Sequence, residues 1–272
     1  MNATTPSDAR WVPWRVAPTS GFVVDDPTGM GDVEIAQTDE RQFVVRNAFR
    51  FSDPAVEAYL VTQLVERGLT EAAARGAVDA ARTFVPSDDN PTDLASIPRF
   101  LRWFENPYGL HSLAALIHDE LITGTANSGA LGSDTLSDRF FREMMRASGV
   151  PWLKRWIMWS AVALRTRWVA GGWRRLSVVV WLVLSVIGIC TAVGSSGALL
   201  LDWTWPTSSP AISLVLSLLL IFIAAPLWGR QWAASLVAAV AALWILPAAI
   251  VAYFAYALYL LSEKVARTAG LT

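Results

Sequence analysis

Thr92-Asp93-Leu94-Ala95-Ser96-Ile97-Pro98, then Ile117-His118-Asp119, then Asp138 divide this 272-residue chain into a supporting fold before them and a route into a membrane after them. Ser96 suits the N-cap of a helix running to Phe104, in which Arg99 and Arg102 flank the apolar Ile97, Phe100, Leu101 and Phe104. Asn106-Pro107-Tyr108-Gly109 breaks the chain before a second helix, whose Leu110, Leu113, Ala114, Ile117 and Leu121 form one apolar stripe. At about 100° per residue His118 falls about 80° from the centre of that stripe and Asp119 about 180° from it. Asp119 is therefore expected to point away from the core face.

His111 and His118, the two histidines of the chain, share a helical face but lie about 10 Å apart along the axis, too far to hold one small ion. The loop 127–133 is rich in Gly and Ser without the lysine of a phosphate-binding loop. Ser133 or Asp134 then caps a helix with Phe141, Met144 and Met145 on its apolar side. Asp138 precedes Phe141 by three residues and borders that side, so its carboxylate needs a donor, a basic side chain or a metal.

Upstream, residues 1–31 read as a polar, then turn-rich lead-in, and Met1–Arg10 lacks the apolar core of a secretory signal. Residues 33–36 and 42–46 read as a hairpin, with a third short strand at 48–51. Asp53-Pro54 opens a helix carrying Val56, Tyr59, Leu60 and Leu64; Gly68 closes it, Thr70 caps a second helix through residue 82, and 83–86 suits a return strand.

Downstream, Trp152, Trp156, Trp159, Trp168 and Trp173 interleave with Lys154, Arg155, Arg165, Arg167, Arg174 and Arg175, and no acidic residue occurs between Glu143 and Asp202. Basic and aromatic residues beside an apolar run mark a membrane interface on the cytoplasmic side. Three apolar runs follow, at about 176–201, 211–228 and 232–261, each long enough to cross a bilayer, with Gly229-Arg230-Gln231 as a tight turn between the last two. After Arg175 the only charged residues are Asp202, Arg230, Glu263, Lys264 and Arg267. With no ionisable side chain in the middle of a span, ion transport has little support.

The composition agrees, since 54% apolar residues exceed what one ordinary soluble domain carries. A formal net charge of −1 argues against a nucleic-acid binder, and the single Cys190 excludes an intrachain disulfide. The fold class expected is α+β: a small cytoplasmic domain of short antiparallel strands plus helices, followed by an all-α three-span membrane domain. The boundaries are a lead-in at 1–31, the soluble domain at 32–150, a basic and aromatic interfacial helix at 151–175, and the membrane domain at 176–272.

The ordered set Thr92, Asp93, Ala95, Ser96, Pro98, then His118, Asp119 and Leu121, then Asp138, Phe141, Met144 and Gly149-Val150 resembles the DUF1353 family, over roughly residues 30–165. That family is a small domain of unknown function found in phages, prophages and bacteria, so the resemblance implies positions rather than a reaction. Asp93, His118, Asp119 and Asp138 form the candidate cluster, with Ser96 beside it as a ligand-binding candidate. Two readings stay open. The residues form a buried hydrogen-bond network joining loop to helices, or His118, Asp119 and Asp138 hold a divalent metal ion that activates water. The functional expectation is a membrane-anchored, phage- or prophage-type accessory protein whose soluble domain binds a protein partner. A metal-dependent hydrolase at the membrane is the alternative. The size of the soluble domain argues against a pore-forming lysis protein. The lipid bilayer is the expected partner, and nucleic acid is not.

Overall fold

The structure is a computed structural model that describes residues 23–25, 33, 35–37, 43–86, 109–124, 127–201 and 209–268. It divides into two compact units, the first reaching Arg155 and the second from Trp156 onward. The described residues are mostly helical, with short antiparallel strands confined to the first unit.

Strand β1 (Val23–Asp25) lies within the expected lead-in. Three residues offer no alternation to read, and only the pairing partner makes them a strand. β2 (Ile35–Gln37) and β3 (Phe43–Val45) form the expected hairpin, with Ile35 opposite Val45. β4 (Phe49–Ser52) does not extend that hairpin: it sits between β1 and β5 (Thr83–Phe84), with Val23 opposite Ser52 and Phe49 opposite Phe84. The Phe49 and Phe84 rings stack with centroids 5.1 Å apart.

Local chemistry sets the helix ends. α1 (Pro54–Val65) starts with proline in its first turn, and Oδ1 of Asp53 accepts from the backbone N–H of Ala55 and Val56 at 2.9 and 3.1 Å. Its C-terminus closes through Gly68 at φ +98°, where the N–H of Gly68 donates to Val65 and that of Leu69 to Leu64. α2 (Glu71–Ala81) is capped by the Thr70 hydroxyl, and α4 (Asp134–Ala147) by that of Ser133. α4 ends in the same glycine device, with Gly149 at φ +77° and the Val150 N–H bonded to Met145.

α3 (Ser112–Thr123) is the spine of the first unit. Eight consecutive residues from His111 to His118 are buried, and of its remaining positions only Asp119, Ile122 and Thr123 are not. α4 packs along it, α1 packs on α4, and Leu60, Leu116, Ile117, Leu121, Leu136, Phe140 and Met144 fill the space. Phe140 meets Phe51 edge to face at 5.7 Å, joining α4 to the sheet.

α5 (Trp152–Ala170) runs from the first unit into the second. Successive left-handed glycines, Gly171 at φ +68° and Gly172 at φ +50°, separate it from α6 (Gly172–Leu201). Two such conformations in a row are least costly for residues without a Cβ. α7 (Pro210–Ala224) returns along α6, whose buried face carries Ser185, Gly188, Ala192, Gly194 and Ser195. Small residues there let the backbones approach closely.

The 3-10 turn Ala225–Gln231 and α8 (Trp232–Thr268) complete the unit. Three helical stretches, Gly172–Leu201, Pro210–Leu243 and Pro247–Thr268, are long and apolar enough to cross a membrane. The second is not straight. Gly229 takes φ +55°, ψ −123°, and the Ser235 hydroxyl bonds the Ala225 carbonyl at 3.0 Å, so the chain folds back at the expected Gly229-Arg230-Gln231 turn. The Gly229 turn thus divides the second candidate stretch into α7 with the 3-10 turn and the start of α8. α7 and the turn together reach about 36 Å, enough for a hydrocarbon core of about 30 Å.

Candidate functional site

α3 and α4 place His118 and Asp138 against each other. Nε2 of His118 lies 3.0 Å from Oδ1 of Asp138, with the residues 8% and 0% exposed. With Asp138 as a carboxylate, which only accepts, the donor across this contact is the Nε2–H of His118. The His118 ring also rests on Phe141, one turn along α4 from Asp138, with centroids 5.0 Å apart. Asp138 at the edge of an apolar face thus has a donor facing it, which is the arrangement its position requires.

The remaining candidates fall differently. Asp119 follows His118 by one helical step, about 100° around the axis, and is only half-buried. Among the described residues no group of three His, Cys, Asp or Glu side chains is placed to hold a metal ion. His118, Asp119 and Asp138 are therefore not drawn into one ligand set, because neighbouring helical positions face different ways. Asp93 and Ser96, with the rest of the Thr92–Pro98 motif, lie outside the described residues. His111 is buried just before the first turn of α3, about two helical turns from His118.

One buried acid escaped the periodicity. Glu120 is buried, and its carboxyl group folds back over Gly124: a Cβ on Gly124 would lie 2.1–2.2 Å from its atoms. Oε1 accepts from the Asn127 N–H at 3.4 Å, and the Asn127 side-chain amide in turn donates to the Thr83 carbonyl. Glu120 thus fastens the end of α3 to the loop and, through Asn127, to β5. A glycine four residues after a glutamate was the available sequence signal.

Residues 77–162 match the family model described as a protein of unknown function, DUF1353. The match starts inside α2 and ends inside α5, so it is narrower than residues 30–165; every motif position from Thr92 to Val150 lies within it. The His118–Asp138 pair, the Glu120 tie and the first half of α5 all belong to the DUF1353 segment, whereas the sheet strands β1 to β4 and helix α1 precede it. The three apolar crossings lie C-terminal to it. No curated protein and no solved structure matches the chain.

Proposed function

We propose that the protein is an integral membrane accessory protein of phage or prophage type, whose DUF1353 segment docks a protein partner on the cytoplasmic side of the bilayer. The observation that carries this reading is the His118–Asp138 pair itself: both groups are buried and meet at 3.0 Å across α3 and α4. Such a pair braces the α3–α4 unit and leaves its outer surface as the working part. The cytoplasmic placement rests on the exposed arginines Arg165, just before the first candidate crossing, and Arg174 and Arg175 in its first turn.

The full chain in detergent micelles supplies the test. Metal content is measured by mass spectrometry for the wild type, His118→Ala and Asp138→Asn, beside thermal melting. The brace reading expects no stoichiometric metal and a lower melting temperature in both variants. Near-stoichiometric zinc or manganese lost from both would replace it with the metal-dependent hydrolase. Docking is tested separately by photo-crosslinking in cells from exposed positions of the segment such as Ala80, Ser128 and Asp134. A discrete protein adduct is expected at a contiguous subset of positions, and failure at every scanned position counts against a partner.

A further inference from the structure

Among the described residues, Arg167 is a cation of the second unit that turns inward. Nη1 donates to the Trp228 carbonyl at 2.9 Å and to Gln231 Oε1 at 3.5 Å; Nη2 donates to Ser177 Oγ at 2.9 Å and to the Leu227 carbonyl at 3.3 Å. The guanidinium also lies 5.6 Å from the centroid of the Trp228 ring, which packs on Trp181. Burial, and secondarily Arg174 nearby, lower the Arg167 pKa from its ordinary value. These bonds pin the Gly229 turn to the corner between α5 and α6, so the two breaks in the chain lie together.

At that corner the surface is cationic and aromatic. Arg165, Arg174 and Arg175 are exposed, as are Trp168 (46%), Trp173 (73%) and Trp232. Arg175 folds over Trp168, with its guanidinium carbon 5.3 Å from the ring centroid and Nε bonded to the Trp168 carbonyl. The sequence has no acidic residue between Glu143 and Asp202, and none between Asp202 and Glu263. Among the described residues no acidic side chain is paired with Arg165, Arg174 or Arg175.

The position of this corner along the membrane normal follows from α8. Trp232 starts that helix, and the exposed Tyr253, Tyr256 and Tyr259 lie 21 to 27 residues on, which is about 32–41 Å. Two aromatic belts separated by about the thickness of the hydrocarbon core place each at a headgroup layer. Exposed Val179, Val180, Leu182 and Val183 continue directly from the arginine corner along α6. A polynucleotide has no place against a surface that runs into hydrocarbon, whereas a phospholipid presents a phosphate and acyl chains in that same order.

We propose that the α5–α6 corner is a seat for anionic phospholipid headgroups, with Arg165, Arg174 and Arg175 as the phosphate donors and Trp168 and Trp173 as flanking anchors. Guanidinium groups suit phosphate through paired N–H donors, and indole rings suit the headgroup layer. This inference rests on the membrane reading above and adds the class of lipid.

The experiment titrates the full chain, in zwitterionic detergent, with dioctanoyl phosphatidylglycerol and dioctanoyl phosphatidylcholine, and counts bound lipid by native mass spectrometry. The expected preference for phosphatidylglycerol is about tenfold or more, given the usual contribution of each arginine near an anionic surface. Arg165→Gln with Arg174→Gln, and the triple variant adding Arg175→Gln, should remove most of it. Arg75→Gln with Lys264→Gln and Arg267→Gln, which deletes three charges elsewhere, should leave it. Equal binding of the two lipids by the wild type, or equal loss in the distant triple variant, overturns the proposal. So does displacement of the lipid by inorganic phosphate or a single-stranded oligonucleotide at equal concentration. Carbonate extraction of membranes separates the two levels. A chain released by carbonate refutes the membrane anchor itself, and a retained chain without lipid preference refutes only the headgroup seat.

Discussion

His118 and Asp138, twenty residues apart in sequence, meet at 3.0 Å across two helices and are almost wholly shielded from water. Replacing Asp138 by Ala leaves a buried imidazole N–H without its acceptor and is expected to cost roughly 2–4 kcal/mol. Asp138→Asn keeps an oxygen acceptor in place and should cost less. Hydrogen exchange read by mass spectrometry over residues 112–147 checks this in the full chain. Protection equal to wild type in Asp138→Ala would show that the pair braces nothing.

Gly124 has ordinary extended backbone angles, φ −71° and ψ 160°, so its lack of a side chain answers to the Glu120 carboxyl group and not to backbone strain. Gly124→Ala should push that carboxyl out of its buried position. In a Glu120→Ala background the same substitution should be nearly neutral. The double-mutant cycle is expected to give a coupling of about 1–2 kcal/mol in urea denaturation. Additive effects would mean that Glu120 is not the group the alanine displaces.

Arg167→Lys keeps the charge but cannot reproduce a planar fork that reaches Ser177, Leu227 and Trp228 together. Both Arg167→Lys and Arg167→Ala should release the 3-10 turn, with the alanine variant the more severe, at about 2–4 kcal/mol. Limited proteolysis near Arg230 in micelles reads this directly, since the site should become cleavable. Resistance in Arg167→Ala equal to wild type would remove the pin from the account.

Asp53→Ala deletes the acceptor for two N–H groups at the start of α1 and should cost about 1 kcal/mol. Asp53→Ser, which retains capping ability, should recover most of it. Urea denaturation followed by exchange at residues 54–65 distinguishes the two, and equal losses would point to some role of Asp53 other than capping.

The caps at Asp53 and Thr70, the glycine closure at Gly68, the hairpin and the number of long apolar stretches are legible in the sequence, and the cap of α4 is narrowed there to Ser133 or Asp134. Each depends on residues within a few positions of one another. The requirement that Asp138 find a partner was legible for the same reason, since its place on the helix face follows from Phe141 and Met145. The identity of that partner was not, because helical periodicity says nothing about which helix lies opposite. Glu120 was missed because a helix buried nearly all round has no solvent face to which a charged residue can be assigned by period. Arg167 was read with its basic neighbours as interfacial, and only the Gly229 turn beneath it separates it from Arg165 and Arg174.

The sequence by itself determined the helix ends at Asp53, Gly68 and Thr70, that a polar stretch precedes three apolar ones, and that the junction is basic and aromatic. Those are consequences of local backbone chemistry and of the hydrocarbon thickness a helix has to span. The break at Gly171–Gly172 inside the expected 151–175 helix, by contrast, is a finding of the structure. Only the tertiary structure decided that β4 sits between β1 and β5, that His118 faces Asp138 while Asp119 turns away, and that Arg167 holds a distant turn. Each of those depends on which surfaces come together when apolar area is buried, and that choice is made by packing across the chain rather than along it.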